Sequence, residues 1–273
     1  MIELAISSWS LHGQLRQVWY EPDQDKTMIN HAAEERDAVP DLLALPAQMA
    51  QNGVFVLELC NFHLPSVEES YLLQLKKAIE DAGVSLANLL IDTGNLSSAD
   101  DEEWHISLQM AKFWQDIAHT LGAKGVRLDC GIDAPTPDAI ERSARALQEL
   151  FDYGQQLGLD TTTENWRQLS LEPENLLEIM RQVDRPLKLC VDFGNAEKSA
   201  DKMATLETLL PRGNSIHLKV TFDGMSVDTD ELKTYVAMIQ QANFSGHISL
   251  IVGEKTDEWE RILVMKEAVE NLL

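Results

Sequence analysis

Basic residues are scarce in this chain. Lys and Arg total 22 against 45 Asp and Glu in 273 residues, a formal charge of -23. Such a surface repels a phosphate backbone and argues against nucleic acid as a partner. It does not exclude a small anion, because a cation or a local basic cluster can reverse the potential inside a cleft. Cysteine is sparse as well: Cys60, Cys130 and Cys190 are far apart, each in or just after an apolar run. That spacing fits neither a disulfide framework nor a paired-thiol metal knuckle, so they read as reduced core thiols. No apolar run reaches the ~18 residues that suggest a membrane span. Met1 leads directly into Ile2-Glu3-Leu4-Ala5-Ile6 without a basic leader, so a cytoplasmic protein with no membrane partner is expected. Neither GxGxxG nor GxxxxGK[ST] occurs, which disfavours dinucleotide and P-loop chemistry.

What is present is a rhythm. From Ile2 to Leu273, short β-rich runs alternate with longer segments of helical period, the pattern of βα units around a parallel sheet. Eight strands are expected: Ile2–Ser8, Val54–Cys60, Ser85–Ile91, Gly125–Cys130, Asp160–Glu164, Leu187–Asp192, Ser215–Lys219 and His247–Val252. Eight units in a chain near the ~250 residues typical of a (β/α)8 barrel predict an α/β fold of TIM type, as one domain over residues 1–273. An open doubly wound sheet competes, but it usually has fewer strands and a glycine-rich turn after the first; here Ser7-Ser8-Trp9-Ser10-Leu11-His12-Gly13 follows. A helix is expected from Glu172 to Val183, stopped by Asp184-Arg185-Pro186. The acidic run Asp100–Glu103 reads as a helix N-terminus. The segment from about Leu11 to Asp37 is polar and aperiodic, so a long loop is expected there, either a lid or a rim covering.

In such a barrel the strand C-terminal ends face one cleft, so acids and histidines placed there belong together. Glu164, Asp192 and His217 end successive strands and can converge on one divalent cation. Two carboxylates and an imidazole suit Mn²⁺, Mg²⁺ or Co²⁺ and also accept Zn²⁺, if a metal is bound at all. Lys219 shares the strand face of His217 and is placed to meet an oxyanion or substrate oxygen. Trp9 and Trp166 stand beside the cleft, where they stack on a substrate or simply pack. His12 and His63, after the first two strands, are candidates for binding substrate hydroxyls. Glu58 is either a cleft acid or a strand glutamate satisfied by a cation such as Arg127; Arg127 and Asp129 are expected to pair with each other. His31, His105 and His119 read as surface or helix residues, and His247 as a strand start without a role.

The chain resembles the xylose isomerase-like barrel superfamily of sugar isomerases, sugar epimerases and apurinic endonucleases. The likeness rests on Ile6-Ser7-Ser8-Trp9, Leu57-Glu58-Leu59, Leu121–Arg127, Glu164-Asn165, Asp192-Phe193-Gly194-Asn195, His217-Leu218-Lys219 and Phe244–Ser249. It implies that Glu164, Asp192 and His217 match three metal ligands, with Asn195 and Lys219 near the substrate; Asn165 is a further candidate for binding substrate. It also implies a fourth acid from the last strand, where this sequence carries Ile251 and, two residues on, Gly253. Glu254 is the nearby acid, either a displaced fourth ligand or an ordinary helix N-terminal acid. The expected activity is metal-dependent isomerisation or epimerisation of a small polyhydroxylated substrate, with Glu164 as ligand and base. The alternatives are a dehydratase of the same superfamily, or a barrel with reduced turnover that binds or regulates through a small molecule. Expected partners are a carbohydrate-like substrate and, optionally, further copies of the chain.

Overall fold

A computed structural model describes residues 2–22, 28–32 and 41–273, with side chains over 2–20 and 41–273. Among these, eight parallel strands close into a barrel: β1 (Ile2–Ser7), β2 (Val56–Cys60), β3 (Ser85–Ile91), β4 (Gly125–Leu128), β5 (Asp160–Glu164), β6 (Lys188–Asp192), β7 (Ser215–Lys219) and β8 (Gly246–Ile251). Closure is made by β1, which pairs with β8 from Ile2↔Gly246 to Ile6↔Leu250 and with β2 at Ile6↔Leu57 and Ser7↔Glu58. Three strands have the expected bounds, four differ by one or two residues at one end, and β8 differs by one residue at each end. The alternating pattern therefore carried both the fold class and the strand positions.

Helices form the outer layer: α1 (Leu45–Gln51), α2 (Glu69–Asp81), α3 (Asp101–Leu121), α4 (Pro137–Gln156), α5 (Pro173–Val183), α6 (Lys202–Leu209), α7 (Thr229–Gln241) and α8 (Glu258–Glu270). Their starts are chemically marked. Asp100, Thr136, Asp201 and Asp228 each accept a hydrogen bond from a backbone N–H of the first turn, satisfying donors that the helix itself leaves open. In α4 the buried residues Ile140, Ala144, Leu147 and Phe151 recur at helical spacing and face the sheet. Leu147 is fully buried, a contribution of about 1.5–3 kcal/mol from its apolar surface. Cys60, Cys130 and Cys190 are buried free thiols. Among the described residues no helix is long and apolar enough to cross a membrane.

The segment after β1 is not the expected plain loop. Val18–Pro22 and Met28–Ala32 form an antiparallel hairpin. Val18 and Tyr20 are buried while Trp19 between them is exposed, a period-two pattern too short to stand out among its polar neighbours. Tyr20 donates to the Leu64 carbonyl at 2.9 Å and meets the Trp114 ring edge-on. Residues 23–27 and 33–37 of that expected loop, and the His31 side chain, lie outside the described residues.

Candidate active site

One residue of irregular register organises the barrel interior. Pairing of β2 with β3 shifts between Leu57 and Glu58, so that Leu57 faces Leu86 but Glu58 faces Asn88. The bulge aims Asn88 at the Glu58 side chain. Glu58 is fully buried and its two oxygens accept four hydrogen bonds. Oε1 takes Asn88 Nδ2 at 2.8 Å and His247 Nε2 at 3.1 Å; Oε2 takes His217 Nε2 at 2.9 Å and Ser249 Oγ at 2.5 Å. Burial opposes ionisation of Glu58, but the charges and hydrogen bonds of His217 and His247 outweigh it and hold the carboxyl well below the usual range. This corrects two expectations. Arg127 does not satisfy Glu58, and His247 has a partner within the barrel.

The Glu58 contact fixes His217 by Nε2 and turns Nδ1 toward the strand ends. There Nδ1 stands 3.3 Å from Asp192 Oδ2 and 3.7 Å from Glu164 Oε1. Asn195 joins the two acids: its backbone N–H donates to Asp192 Oδ1 at 2.6 Å and its side-chain amide to Glu164 Oε1 at 3.0 Å. Asp192 thus caps the one-turn helix Phe193–Ala196 with one oxygen and faces His217 with the other. Burial alone would lower the His217 pKa; Cys190 and the carboxylates of Glu164, Glu58 and Asp192 outweigh it and lift the group well above the usual imidazole range. Cys190, one strand position pair below Asp192, places its sulfur within 4.8 Å of donor atoms of Glu164 and His217. Burial pushes its thiol up to about 11, so it stays neutral at pH 7.

Arg127 lies on the other side of Glu164. Its Nη1 donates to Asp92 Oδ1 at 2.5 Å, and its Nε stands 2.9 Å from Glu164 Oε2 without the alignment of a hydrogen bond. Burial raises the Glu164 pKa, opposed by Arg127 and His217. The expected pair of Arg127 with Asp129 does not form, because Asp129 is held by Arg167 and by the Gly131 N–H. Arg167 adopts a positive φ of 55°, uncommon outside glycine, which lays its guanidinium 4.2 Å from the Trp166 ring centroid. Asp92, at the end of β3, carried the same strand-end signal as Glu164 and passed unnoticed in the sequence.

These groups line a cavity of about 330 Å³ at the C-terminal mouth of the barrel, shared by Trp9, Asp92, Arg127, Glu164, Trp166, Asp192, Asn195, His217, Lys219 and Ile251 among others. That volume lies within the range of small-molecule sites, about 300–1,000 Å³. Four predicted site residues are elsewhere. Asn165 is buried and spends its amide on both backbone groups of Asp192, tying β5 to β6. His63 is buried between Ser8 Oγ and His12 Nδ1, and neither histidine lines the cavity. Burial lowers the His63 pKa to about 3, so it is neutral. Glu254 is exposed on the segment after β8 and does not reach the cavity, while Ile251 does.

The donor set fits a divalent cation. Possible ligand atoms of Glu164, Cys190 and His217 lie within 4.8 Å of one another, and Asp192 Oδ2 stands 3.3 Å from His217 Nδ1, an oxygen- and nitrogen-rich set of the kind divalent ions take. A cation there would do the work of the imidazole proton, neutralising the acids while Nδ1 becomes a ligand. Glu58 supplies the carboxylate that commonly orients a metal-binding histidine through its other nitrogen.

A family model for the xylose isomerase-like TIM barrel matches residues 46–272. The chain belongs to that family. Solved structures of the same fold include an L-ribulose 3-epimerase (15% identity, TM-score 0.72, covering 100% of this chain and 96% of the other) and a D-allulose 3-epimerase from Methylomonas sp. (14%, 0.72, 100% and 98%). A further one is a xylose isomerase-like TIM barrel protein from Mycobacterium smegmatis in complex with magnesium (16%, 0.67, 99% and 98%). No curated protein matches the sequence.

Proposed function

We propose that this chain is a metal-dependent sugar isomerase or epimerase-like enzyme that moves a proton on a small polyhydroxylated substrate. The observation that carries this reading is the meeting of Glu164, Asp192 and His217 in one cavity at the barrel mouth. The residues that would hold the ion are these three: Glu164 and His217 share a cluster of possible ligand atoms with Cys190, and Asp192 Oδ2 stands 3.3 Å from His217 Nδ1. A divalent ion bound there would polarise a substrate carbonyl and hold an adjacent hydroxyl.

The protein's own part is proton movement. Glu164 is desolvated and is the acid on the cavity wall best placed to accept a carbon-bound proton, with Arg127 holding its second oxygen and Asn195 its first. Lys219 reaches the same cavity and can donate to the oxygen on which negative charge develops. Trp9 and Trp166 give the cavity apolar walls. With Ile251 at the last strand, β8 offers no acid opposite Glu164. The reading is therefore a one-base reaction in which Glu164 takes a proton from one carbon and returns it to the neighbouring carbon on the same face, which isomerises the sugar. Epimerisation would need a second proton donor on the opposite face.

The test is wash-in of solvent deuterium into a panel of ketoses and aldoses by protein loaded with Mn²⁺. Exchange into at least one sugar, falling about 10²–10⁴-fold in Glu164→Gln, supports the reading; full exchange in that variant refutes the base. Ile251 also favours a second reading, a barrel that binds sugar without turning it over. Sugar binding with no exchange in any member of the panel favours that reading instead.

A further inference from the structure

Around Glu164, Asp192 and His217 the chain lacks an acid on β8 and carries a thiol on β6. Cys190 and Asp192 are two residues apart on that strand, so both side chains face the barrel lumen while Leu189 and Val191 pack into the hydrophobic core. In the sheet register Cys190 stands opposite Glu164 of β5, and two residues before the Asp192↔His217 pair. It is buried and does not line the cavity itself; it lies beneath the floor that the other three residues form. Among the described residues, Glu164, Cys190 and His217 are the one group of acid, thiol and imidazole side chains whose candidate ligand atoms all lie within 4.8 Å of one another.

The other two thiols are placed differently. Cys60 Sγ stands 4.0 Å from Ser7 Oγ and Cys130 Sγ 3.0 Å from Thr163 Oγ1, so each meets a hydroxyl. Neither belongs to a group of candidate ligands. The thiol under the cavity changes which ion the site suits. Two carboxylate oxygens, an imidazole nitrogen and a thiolate sulfur make a four-donor set of the kind Zn²⁺ takes. Mg²⁺ prefers an octahedron of oxygens and gains little from sulfur. A thiol that binds a metal ion is deprotonated outright: the S–H bond breaks, a sulfur lone pair goes to the ion, and the proton leaves to solvent.

We propose that Cys190 is the fourth protein ligand, supplying from below the donor that the last strand lacks at Ile251, and that the site therefore selects Zn²⁺ or Co²⁺ over Mg²⁺ and Mn²⁺. This rests on the reading of Glu164, Asp192 and His217 as an ion site. Protein freed of metal by a chelator is titrated with Co²⁺ and its absorption is followed. Thiolate bound to Co²⁺ gives an intense charge-transfer band in the near ultraviolet, whereas oxygen and nitrogen ligands give only weak visible bands.

The expected result is a near-ultraviolet band that saturates with a single equivalent of Co²⁺, is lost in C190S and C190A, and persists in C130S. Zn²⁺ affinity should fall at least about tenfold in C190A, no less than the loss of a partner behind a ligand costs, and Mn²⁺ affinity should change far less. Visible Co²⁺ bands without the near-ultraviolet band in wild type overturn the proposal and leave the ion reading standing. A band that survives in C190S also overturns it. No Co²⁺ binding at all removes the ion reading and the proposal together. Because the band is read first in the wild-type chain, the test holds even if C190S or C190A fails to fold.

Discussion

Replacing Glu58 by Gln tests how the barrel interior presents the site. The carboxylate accepts from Asn88, His247, His217 and Ser249 at 2.5–3.1 Å with no exposure to solvent. Gln keeps the shape but has one acceptor oxygen, so two of the four donors meet an amide N–H₂. Two unsatisfied buried groups at about 1–3 kcal/mol each give a loss of roughly 4 kcal/mol. For a chain of this size that is a fall in Tm of roughly 8–16 °C. Differential scanning calorimetry in chelator, so that no bound ion adds to stability, reads it directly. Because the Glu58 pKa is depressed, its contribution is present in full above the ordinary value of 4.5 and is lost as pH falls below it. The gap between wild type and variant should therefore narrow on acidification. The clash at His217 is relieved only by moving the imidazole proton from Nε2 to Nδ1, so that Nε2 accepts from the amide; that shift recovers part of the stability loss and weakens divalent-metal affinity about 10–100-fold. A fall in Tm under 2 °C with unchanged metal affinity would refute the reasoning.

Other substitutions probe the surrounding groups. Ile251→Glu puts an acid on the bare side of the cavity and should raise Mn²⁺ affinity more than tenfold by isothermal titration calorimetry; no gain would mean that β8 does not face the ion. Arg127→Met leaves Asp92 and Glu164 buried without their cation, so it should cost about 3–5 kcal/mol in urea unfolding. Asp92→Asn added to Arg127→Met should recover part of that loss, and strict additivity of the two changes would count against the pairing.

The fold was legible because parallel strands buried on both faces read as short apolar runs, and eight of them at even spacing leave few alternatives. The three converging residues were legible for a related reason: a strand end in a barrel has one place to point. Pairings across the lumen were not. Glu58 meets His217 and His247, which lie 159 and 189 residues away in sequence, and the bulge that brings in Asn88 leaves no local mark. His12 and His63 misled because an imidazole just after a strand serves a loop hydrogen bond as readily as a ligand. Glu254 misled because the chain turns outward after Ile251, where proximity in sequence no longer means proximity in space.

Mn²⁺ titration followed by electron paramagnetic resonance measures the meeting of Glu164, Asp192 and His217 most directly. Wild type should bind about one ion per chain, Asp192→Ala and His217→Ala should bind none, and Glu254→Ala should bind as wild type does. Full Mn²⁺ binding by the Asp192 and His217 variants, or loss of binding in Glu254→Ala alone, would contradict the account.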